Sequence, residues 1–506
     1  MKLKHGEHRS MSQKITLLNM FSGLVLQIFT LINGFILPKI ILSFFGSEVN
    51  GLVSSINQFL SYIALVEGGI TGVVTAAFYN PLVKKDEEKI SSILVTADYF
   101  YRKIGIFFIV YSIFLSIVYP LLFAKSFDFT YVCPLILILA FGLLIQYMFS
   151  LTFKTLLTAD KRIYIVNFIQ TVIICANILL VFLSVYIYPS IHVLKLISSL
   201  LFIFQPIYLT IYVRKRYRLN RKAKLDNSLL KSRWNGFAIN FAAFIHSSTD
   251  IVILTLFTNL KVVSVYSIYY LVVNGIKQLI NSCLSGLSAT VGQAYVKKDL
   301  EELNQKLDIY EYIVFILVFF FFTVAALLIT PFVQLYTSGV SDINYNQPVF
   351  GLLLVISEAL YIIKFPHLDL AYSANKFKEI TLPAYIEAFF NIVISILMVG
   401  KFGLIGVTIG TIVGMIYRLI FQVFYTSKLI EGRRQGLFYK KLLLFTFCAL
   451  IGFCICKFFI PFVKLSILSW LKYAVIYSFV ICVMLFLLSL ICFKSEMKFF
   501  INYLNR

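Results

Sequence analysis

Residues Arg214 to Arg233 read RKRYRLNRKAKLDNSLLKSR, the one long polar interruption in an otherwise apolar chain of 506 residues. The stretch carries nine Lys or Arg against a single acid, Asp226. In a soluble protein it would read as a nucleic-acid patch. Its surroundings exclude that reading. Hydrophobic residues make up 60% of the chain and charged ones 13%, with a mean hydropathy of +0.89, whereas a soluble domain carries roughly a quarter charged residues. The chain therefore reads as an all-α polytopic membrane protein with no nucleic-acid partner, and the meaning of its net charge of +22 depends on which loops hold the cations.

A helix crosses the hydrocarbon with about 20 apolar residues, and about 14 such segments can be placed. Six precede the basic stretch: 15–42, 50–79, 91–123, 132–157, 163–188 and 193–213. Six follow it, at 235–257, 262–294, 308–336, 348–373, 380–399 and 403–427, and two more lie at 441–463 and 471–493. Pro38, Pro206 and Pro366 are expected kinks. About 31 of the cations fall in the terminal segments and alternate loops, against about four (Lys125, Lys261, Lys401, Lys464) in the opposite loops, so both termini are expected in the cytoplasm. Trp234 and Trp470 stand at span edges, as an aromatic belt requires. The segment MKLKHGEHRS runs directly into a long span without a cleavage signal, so no processing is expected. The eight cysteines lie in or beside apolar segments, which signals neither disulfides nor zinc.

Sliding the second half over the first by about 213 residues aligns separate similarities. Val83-Lys84-Lys85-Asp86 meets Val296-Lys297-Lys298-Asp299, Asp98-Tyr99 meets Glu311-Tyr312, and Pro120 meets Pro331. Farther on, Ala159-Asp160-Lys161 meets Ala374-Asn375-Lys376, and Asn177 meets Asn391. The expected organisation is two pseudo-symmetric six-helix lobes, 1–213 and 234–427, joined by a cytoplasmic linker at 214–233. Residues 428–506 supply a loop, two further helices and a tail. Six spans return the chain to its starting side, so the lobes are related by an axis along the membrane normal, with a pathway between them.

Polar stripes are duplicated as well. Asn50, Ser54, Asn57, Ser61, Ala64, Gly68 and Gly72 share one face of the second span, and Ser267, Asn274, Gln278, Asn281, Ser285, Ser288 and Gly292 one face of the eighth. The seventh span adds Gly236, Asn240, Ala243, Ser247 and Asp250. Each stripe alone is accounted for by close helix packing; stripes in matching places favour a hydrated cavity. Ionisable residues inside spans are functional candidates by default. Lys277 is the sharpest, with Asn274 and Asn281 three and four residues away on its own stripe. Lys364 and Arg418 follow, and Lys39 and Arg102 lie nearer span ends, where snorkelling competes. The substrate-binding set is therefore Lys277, Lys364, Arg418, Lys39, Arg102, Asn57, Asn274, Gln278 and Asn281. Asp250, Glu67, Glu358 and Asp369 are the coupling or gating set, and Glu387 is a further intramembrane acid. His246 and His367 read as ordinary buried histidines. The cluster Lys364, Pro366, His367 and Asp369 reads as a hinge as much as a site. No Walker loop, dinucleotide fingerprint or zinc-protease helix occurs, so an enzyme is not expected, nor a cofactor.

Particular residues carry a family likeness: Leu37-Pro38-Lys39, Phe45-Gly46-Ser47-Glu48-Val49-Asn50-Gly51-Leu52, Gln58-Phe59-Leu60 and Glu67-Gly68-Gly69-Ile70, then Ala374-Asn375-Lys376-Phe377-Lys378, Asn391 and Phe402 through Thr411, FGLIGVTIGT. In these the chain resembles the polysaccharide exporters of the MOP superfamily, the Wzx-type flippases of lipid-linked oligosaccharides. The resemblance implies alternating access that moves an undecaprenyl-diphosphate-linked glycan across the bacterial cytoplasmic membrane. It implies membrane lipid, glycosyltransferases and a polysaccharide polymerase as partners, and coupling by membrane potential, H+ or Na+. The last two spans look like the extra pair of lipid II flippases in the same superfamily, where such helices help form a lipid-tail groove, although the arginine set of those flippases has only Lys39 in its place here. A cation-coupled multidrug exporter is the other alternative, and a sugar-modifying membrane enzyme a more distant one. The topology is open to test: in a cysteine-free background, Arg214→Cys and Arg233→Cys should both label from the cytoplasmic side, and labelling from opposite sides would overturn the span assignment.

Overall fold

The computed structural model describes residues 2–67, 70–123, 126–226, 237–297 and 299–498, with the side chains of 2–13, 66, 237–243, 245–247, 285 and 289 outside that description. Gly68, Lys125, Arg233, Trp234, Gly236 and Lys298 therefore lie outside the described residues, as do the side chains of Asn240, Ala243, His246, Ser247 and Ser285. The described elements are helices, with no strand among them. Eleven of these helices are long and apolar enough to cross a membrane. The difference from the expected number falls on the second, seventh and eighth segments. The second is divided between a longer first helix and two short ones, the seventh is a helix over Phe237–Phe257 whose side chains are described without a gap only from Ser248, so that it enters the count as Ser248–Phe257, and the eighth is long but diluted by its polar stripe.

The chain separates into two units, Met1–Phe244 and Ile245–Arg506. In the first unit α1 spans Lys2–Leu60, α2 Ile63–Glu67, α3 Ile70–Lys84 and α4 Glu87–Phe123; α5 (Phe129–Ile145) passes through a π turn (Gln146–Ser150) into α6 (Leu151–Ala159), and α7 (Ile163–Ile187), α8 (Ile191–Leu201) and α9 (Phe204–Arg216) complete it. Pro38 is carried inside α1, and the non-helical residue there is Gly46, at φ 80°, ψ 177°. That backbone region is open mainly to glycine. Pro206 falls in the first turn of α9, just after the break between α8 and α9, where its missing N–H is least costly.

The second unit has α10 (Phe237–Phe257, whose first residues belong to the preceding unit), α11 (Leu260–Lys297), α12 (Leu300–Tyr336), α13 (Pro348–Ile363), α14 (Phe365–Ser373), α15 (Phe377–Phe402), α16 (Leu404–Leu429), α17 (Gln435–Phe459) and α18 (Ile467–Cys492). The break between α13 and α14 falls on Lys364, with Pro366 at the second residue of α14, as the kink at this proline requires. Aromatic rings hold the last two helices on α12: Phe315 meets Phe438 and Phe445 at 5.4 Å between centroids, and Phe445 stacks on Phe493 at 5.2 Å. Trp470 Nε1 donates to the Leu328 carbonyl at 3.2 Å.

Duplication shows in the helix ends. Asp86 Oδ1 accepts from Lys89 N and Asp299 Oδ1 from Glu302 N, each at 2.9 Å, so equivalent aspartates cap α4 and α12, both 37 residues long. The turn after α6 pairs Lys161 N with Thr158 O and Arg162 N with Leu157 O, and the turn after α14 pairs Asn375 N with Tyr372 O and Lys376 N with Ala371 O. These are matching Schellman closures, with Lys161 and Asn375 in the left-handed position at φ 58° and 57°. The sequence alignment set Asp160 against Asn375; the hydrogen bonds set Lys161 there, one residue later. Identity of side chains misplaced the register because the turn is defined by backbone geometry.

The basic stretch is laid against its own unit as far as it is described. Asn220 N donates to Ser91 Oγ at 3.0 Å, Ser92 Oγ to the Lys224 carbonyl at 2.6 Å and Asp226 N to Thr96 Oγ1 at 2.8 Å, while Lys89 pairs with Asp226 at 3.0 Å. Within the stretch expected as a linker, residues 220–226 are a strap along α4. The second unit places Arg433, in the segment after α16, on the corresponding face of α12: it reaches Asn304 at 3.0 Å, Asp308 at 3.2 Å and Glu311 at 2.5 Å. Each net hydrogen bond is worth about 1 kcal/mol. Removing two acceptors with Ser91→Ala and Thr96→Val should accelerate tryptic cleavage within 214–226 by about tenfold, and cleavage at the wild-type rate would reject the strap.

Candidate functional site

The site begins with how closely α15 and α16 approach. Gly406, Gly410 and Gly414 recur every fourth residue, which puts them on one face of α16. A Cβ at Gly406 would lie 2.6 Å from the Met398 carbonyl, at Gly410 2.8 Å from that of Asn391, and at Gly414 2.9 Å from that of Glu387. Only glycine admits such contact, as in other small-residue helix pairs. Polar side chains beside the seam are thereby forced together.

At one level is Asp250 of α10. It accepts from Tyr266 OH at 2.9 Å and faces Thr411 Oγ1 at 3.0 and 3.1 Å. Asn391 Nδ2 donates to the same hydroxyl at 3.2 Å, and Ser395 Oγ to the Val407 carbonyl at 3.1 Å. A hydroxyl has one proton to give, so this node is richer in oxygen acceptors than in donors. Its counterpart in the first unit is neutral: Ser198 Oγ donates to Asn177 Oδ1 at 2.7 Å and Asn177 Nδ2 to Asn33 at 3.4 Å.

A chain of charges starts one tyrosine away. Tyr266 stacks on Tyr270, whose hydroxyl accepts from Lys277 Nζ at 3.3 Å. Lys277 pairs with Glu358 at 2.8 Å and lies over the Tyr361 ring, 5.0 Å from its centroid. Lys364 approaches the same ring at 4.3 Å and reaches Glu387 Oε1 at 3.7 Å. Arg418 reaches Glu387 Oε2 at 3.6 Å and donates from Nη1 to the Ile380 carbonyl at 2.8 Å. All five ionisable groups, Lys277, Glu358, Lys364, Glu387 and Arg418, are buried. At the corresponding positions the first unit has Ala64, Ile145, Ser150, Ile173 and Phe204 instead, so this network is peculiar to the second unit.

Of the predicted residues, Lys277, Lys364, Arg418, Glu358 and Asp250 are thus connected. Asn274 and Gln278 are half-buried on the Lys277 helix, and Asn281 Oδ1, one turn beyond Lys277, is buried without a hydrogen-bond partner. Asp369 instead accepts from Tyr310 OH at 2.7 Å. Lys39, Arg102, Asn57 and Glu67 belong to the first unit. There Lys39 is half-buried, Asn57 is exposed, Arg102 pairs with Asp98 at 3.0 Å, and Glu67 accepts from Thr71, whose hydroxyl is 3.0 Å from Tyr101 OH. The Lys364, His367 and Asp369 group disperses to three partners, since His367 lies in contact with Phe438 and 3.6 Å from Glu311.

Sequence reasoning missed the connectors. Glu387 was seen as an acid but not joined to Lys364 and Arg418, and Tyr270, Tyr361 and Thr411 were passed over. The signal was there for the tyrosines: Tyr270 is two turns before Lys277, and Tyr361 is three residues from both Glu358 and Lys364, hence on their faces. Also missed was the knot of Asp308, Glu311, Arg433 and Lys441, in which Lys441 meets Asp308 at 2.8 Å and Glu311 at 3.3 Å and ties α17 to α12.

No family model and no curated protein matches the chain. Solved structures do. The lipid II flippase MurJ in an inward closed conformation aligns with a TM-score of 0.74 over 95% of this chain and 100% of its own, at 14% identity. The fold is similar to that of solved transporters of the MOP superfamily. An inward-facing multidrug resistance MATE family transporter of that superfamily aligns at 0.60, with 16% identity over 81% of this chain and 96% of its own. The Vibrio cholerae MATE transporter VcmN in the bent form aligns at 0.56, with 14% identity over 84% and 99%. At such identities the likeness concerns architecture, and function rests on the site.

Truncating one partner of a buried ion pair costs about 3–5 kcal/mol. Glu387→Ala, which strands two cations, should lower unfolding stability in detergent by at least that much. Glu67→Ala removes the acceptor of a hydroxyl and should cost about 1–3 kcal/mol; a smaller loss for Glu387→Ala than for Glu67→Ala would show that the network is not holding the unit.

Proposed function

We propose that the protein is a flippase that carries an undecaprenyl-diphosphate-linked oligosaccharide from the inner to the outer leaflet of a bacterial cytoplasmic membrane, for surface polysaccharide synthesis, with both termini in the cytoplasm. The observation that carries this reading is the buried trio Lys277, Lys364 and Arg418, confined to one unit and bordered by Asn274, Gln278 and Asn281. A diphosphate needs fixed cations, and a glycan needs amide donors and acceptors. A cationic drug would need the opposite balance.

The lipid tail has a suitable neighbour. A groove of about 400 Å³ between α12, α13 and α17 is lined by apolar side chains including Val318, Phe322, Leu360, Leu450 and Phe453, and it would take a polyprenyl chain with its headgroup toward α13. Glycosyltransferases would supply the substrate and a polymerase consume it, and the protein itself makes no covalent bond. Driving force is available without ATP, since one charge moving through 100 mV is worth about 2.3 kcal/mol. The Asp250 node, a carboxylate beside the Thr411 hydroxyl, has a group that a proton would titrate and oxygens that Na+ would use as coupling ion.

Lipid II is the second reading, supported by the likeness to MurJ over 95% of this chain; lipid-linked oligosaccharide is preferred because the chain offers only Lys39 for the first-span arginines. Proteoliposomes supplied with either lipid separate the two. Faster flipping of the oligosaccharide lipid, with at least a tenfold loss in Lys277→Ala and in the pair-removing Lys277→Ala/Glu358→Ala variant at normal protein abundance, is expected. Equal rates for variants and wild type would remove Lys277 from the site, and exclusive flipping of lipid II would replace the substrate.

A further inference from the structure

Resting on that reading, we infer that Glu358 and Glu387 are resident counter-ions, holding the phosphoryl positions of the cationic centre until a diphosphate displaces them. Three features of the network lead there. Two carboxylates face three cations across a single side chain, Tyr361, whose ring has Lys277 and Lys364 both within 5.0 Å of its centroid. Two phosphoryl groups joined by one oxygen likewise present a pair of anionic centres. The carboxylates therefore occupy the centre as a split imitation of the substrate headgroup.

The second feature is sharing. Glu387 sits 3.7 Å from Lys364 and 3.6 Å from Arg418, so one carboxylate serves two cations. Lys364 Nζ also contacts the Met415 sulfur at 3.6 Å, a weak acceptor. A diphosphate brings more oxygens to the same cations, and Lys277 would exchange its 2.8 Å contact with Glu358.

Third, Lys364 is the residue at which the helix is broken, between Ile363 at the end of α13 and Phe365 at the start of α14. Moving Lys364 from Glu387 to a ligand is a rotation at an existing break rather than the opening of an intact helix. Counter-ion exchange and movement of α14 are thus one event. When the headgroup leaves, Glu358 and Glu387 reclaim the cations, so the empty centre never has to stand as three uncompensated charges.

The test uses purified full-length protein and inorganic pyrophosphate, with binding read by calorimetry. Glu358→Gln/Glu387→Gln should bind pyrophosphate at least tenfold more tightly than wild type and prefer it to inorganic phosphate, and adding Lys277→Met should abolish the gain. Should the amide variants fail to fold, Glu387→Asp, which keeps the charge but shortens its reach, should give a smaller increase in affinity. Unchanged or weaker pyrophosphate affinity in the variant that folds, or a gain indifferent to Lys277→Met, overturns the inference. Its failure is distinct from that of the flippase reading: wild type that flips oligosaccharide lipid while the variants show no gain rejects the counter-ions alone, and variants that gain affinity in a protein that flips nothing reject the transport reading alone.

Discussion

A charge taken out of water has to be answered by a neighbour, and the second unit answers Lys277 with Glu358, and Lys364 and Arg418 together with Glu387. That requirement governs the surrounding packing. Arg418 on α16 and Glu387 on α15 meet because the two helices approach through Gly406, Gly410 and Gly414, and the same approach brings Asn391 to Thr411 and Thr411 to Asp250. A methyl group at Gly410 would push against the backbone at Asn391 and separate both levels at once. Glycine spacing, ion pairing and the oxygen-rich node are one structural fact.

The two units are copies that kept their frame and changed its contents. Equivalent aspartates cap α4 and α12, and equivalent Schellman turns close α6 and α14. Within that frame the polar node of α7 and α8 is made of Asn33, Asn177 and Ser198, while the node of α15 and α16 has a carboxylate at Asp250. The straps diverge in the same sense. In the first unit α4 is met mainly by hydrogen bonds of backbone groups to hydroxyls, whereas in the second Arg433 and Lys441 clamp Asp308 and Glu311. Ionic contacts of this kind are directional and costly to break, so the second copy is specified by charge where the first is specified by neutral polar packing.

How much of this the sequence disclosed follows from the range of each interaction. Helical segments depend on spacing along one helix and the duplication on matches at a nearly fixed offset, and both were legible. The counterparts of Lys277 and Arg418 lie on other helices, 81 residues away for the Lys277 contact, and no helical period links them. Gly406, Gly410 and Gly414 announced close packing but not which helix would be approached. The basic stretch stood out by its charge, but its hydroxyl partners Ser91, Ser92 and Thr96 are unremarkable in sequence and sit in the first turns of α4. The span expected at 262–294 is the helix Leu260–Lys297. The helix that holds Lys277 is too polar to be counted as a span by composition, and that polarity is what singles it out for function.

The break at Lys364 shows how charge and backbone were combined. Pro366 has no N–H to offer the Ile362 carbonyl, so the ladder is interrupted whatever the side chains do. The first unit interrupts its corresponding helix too, but with the π turn Gln146–Ser150, whose last residue, Ser150, stands where the repeat places Lys364. A bend at this depth therefore belongs to the shared frame, and only the second unit attaches a cation to it. An ion pair at the middle of an intact helix would have to break backbone hydrogen bonds to move its partner. At a residue whose N–H turns to the Ile362 carbonyl in place of the regular ladder, a change of counter-ion acts directly on the angle between the helix segments, which is the mechanical reason to place the cation there.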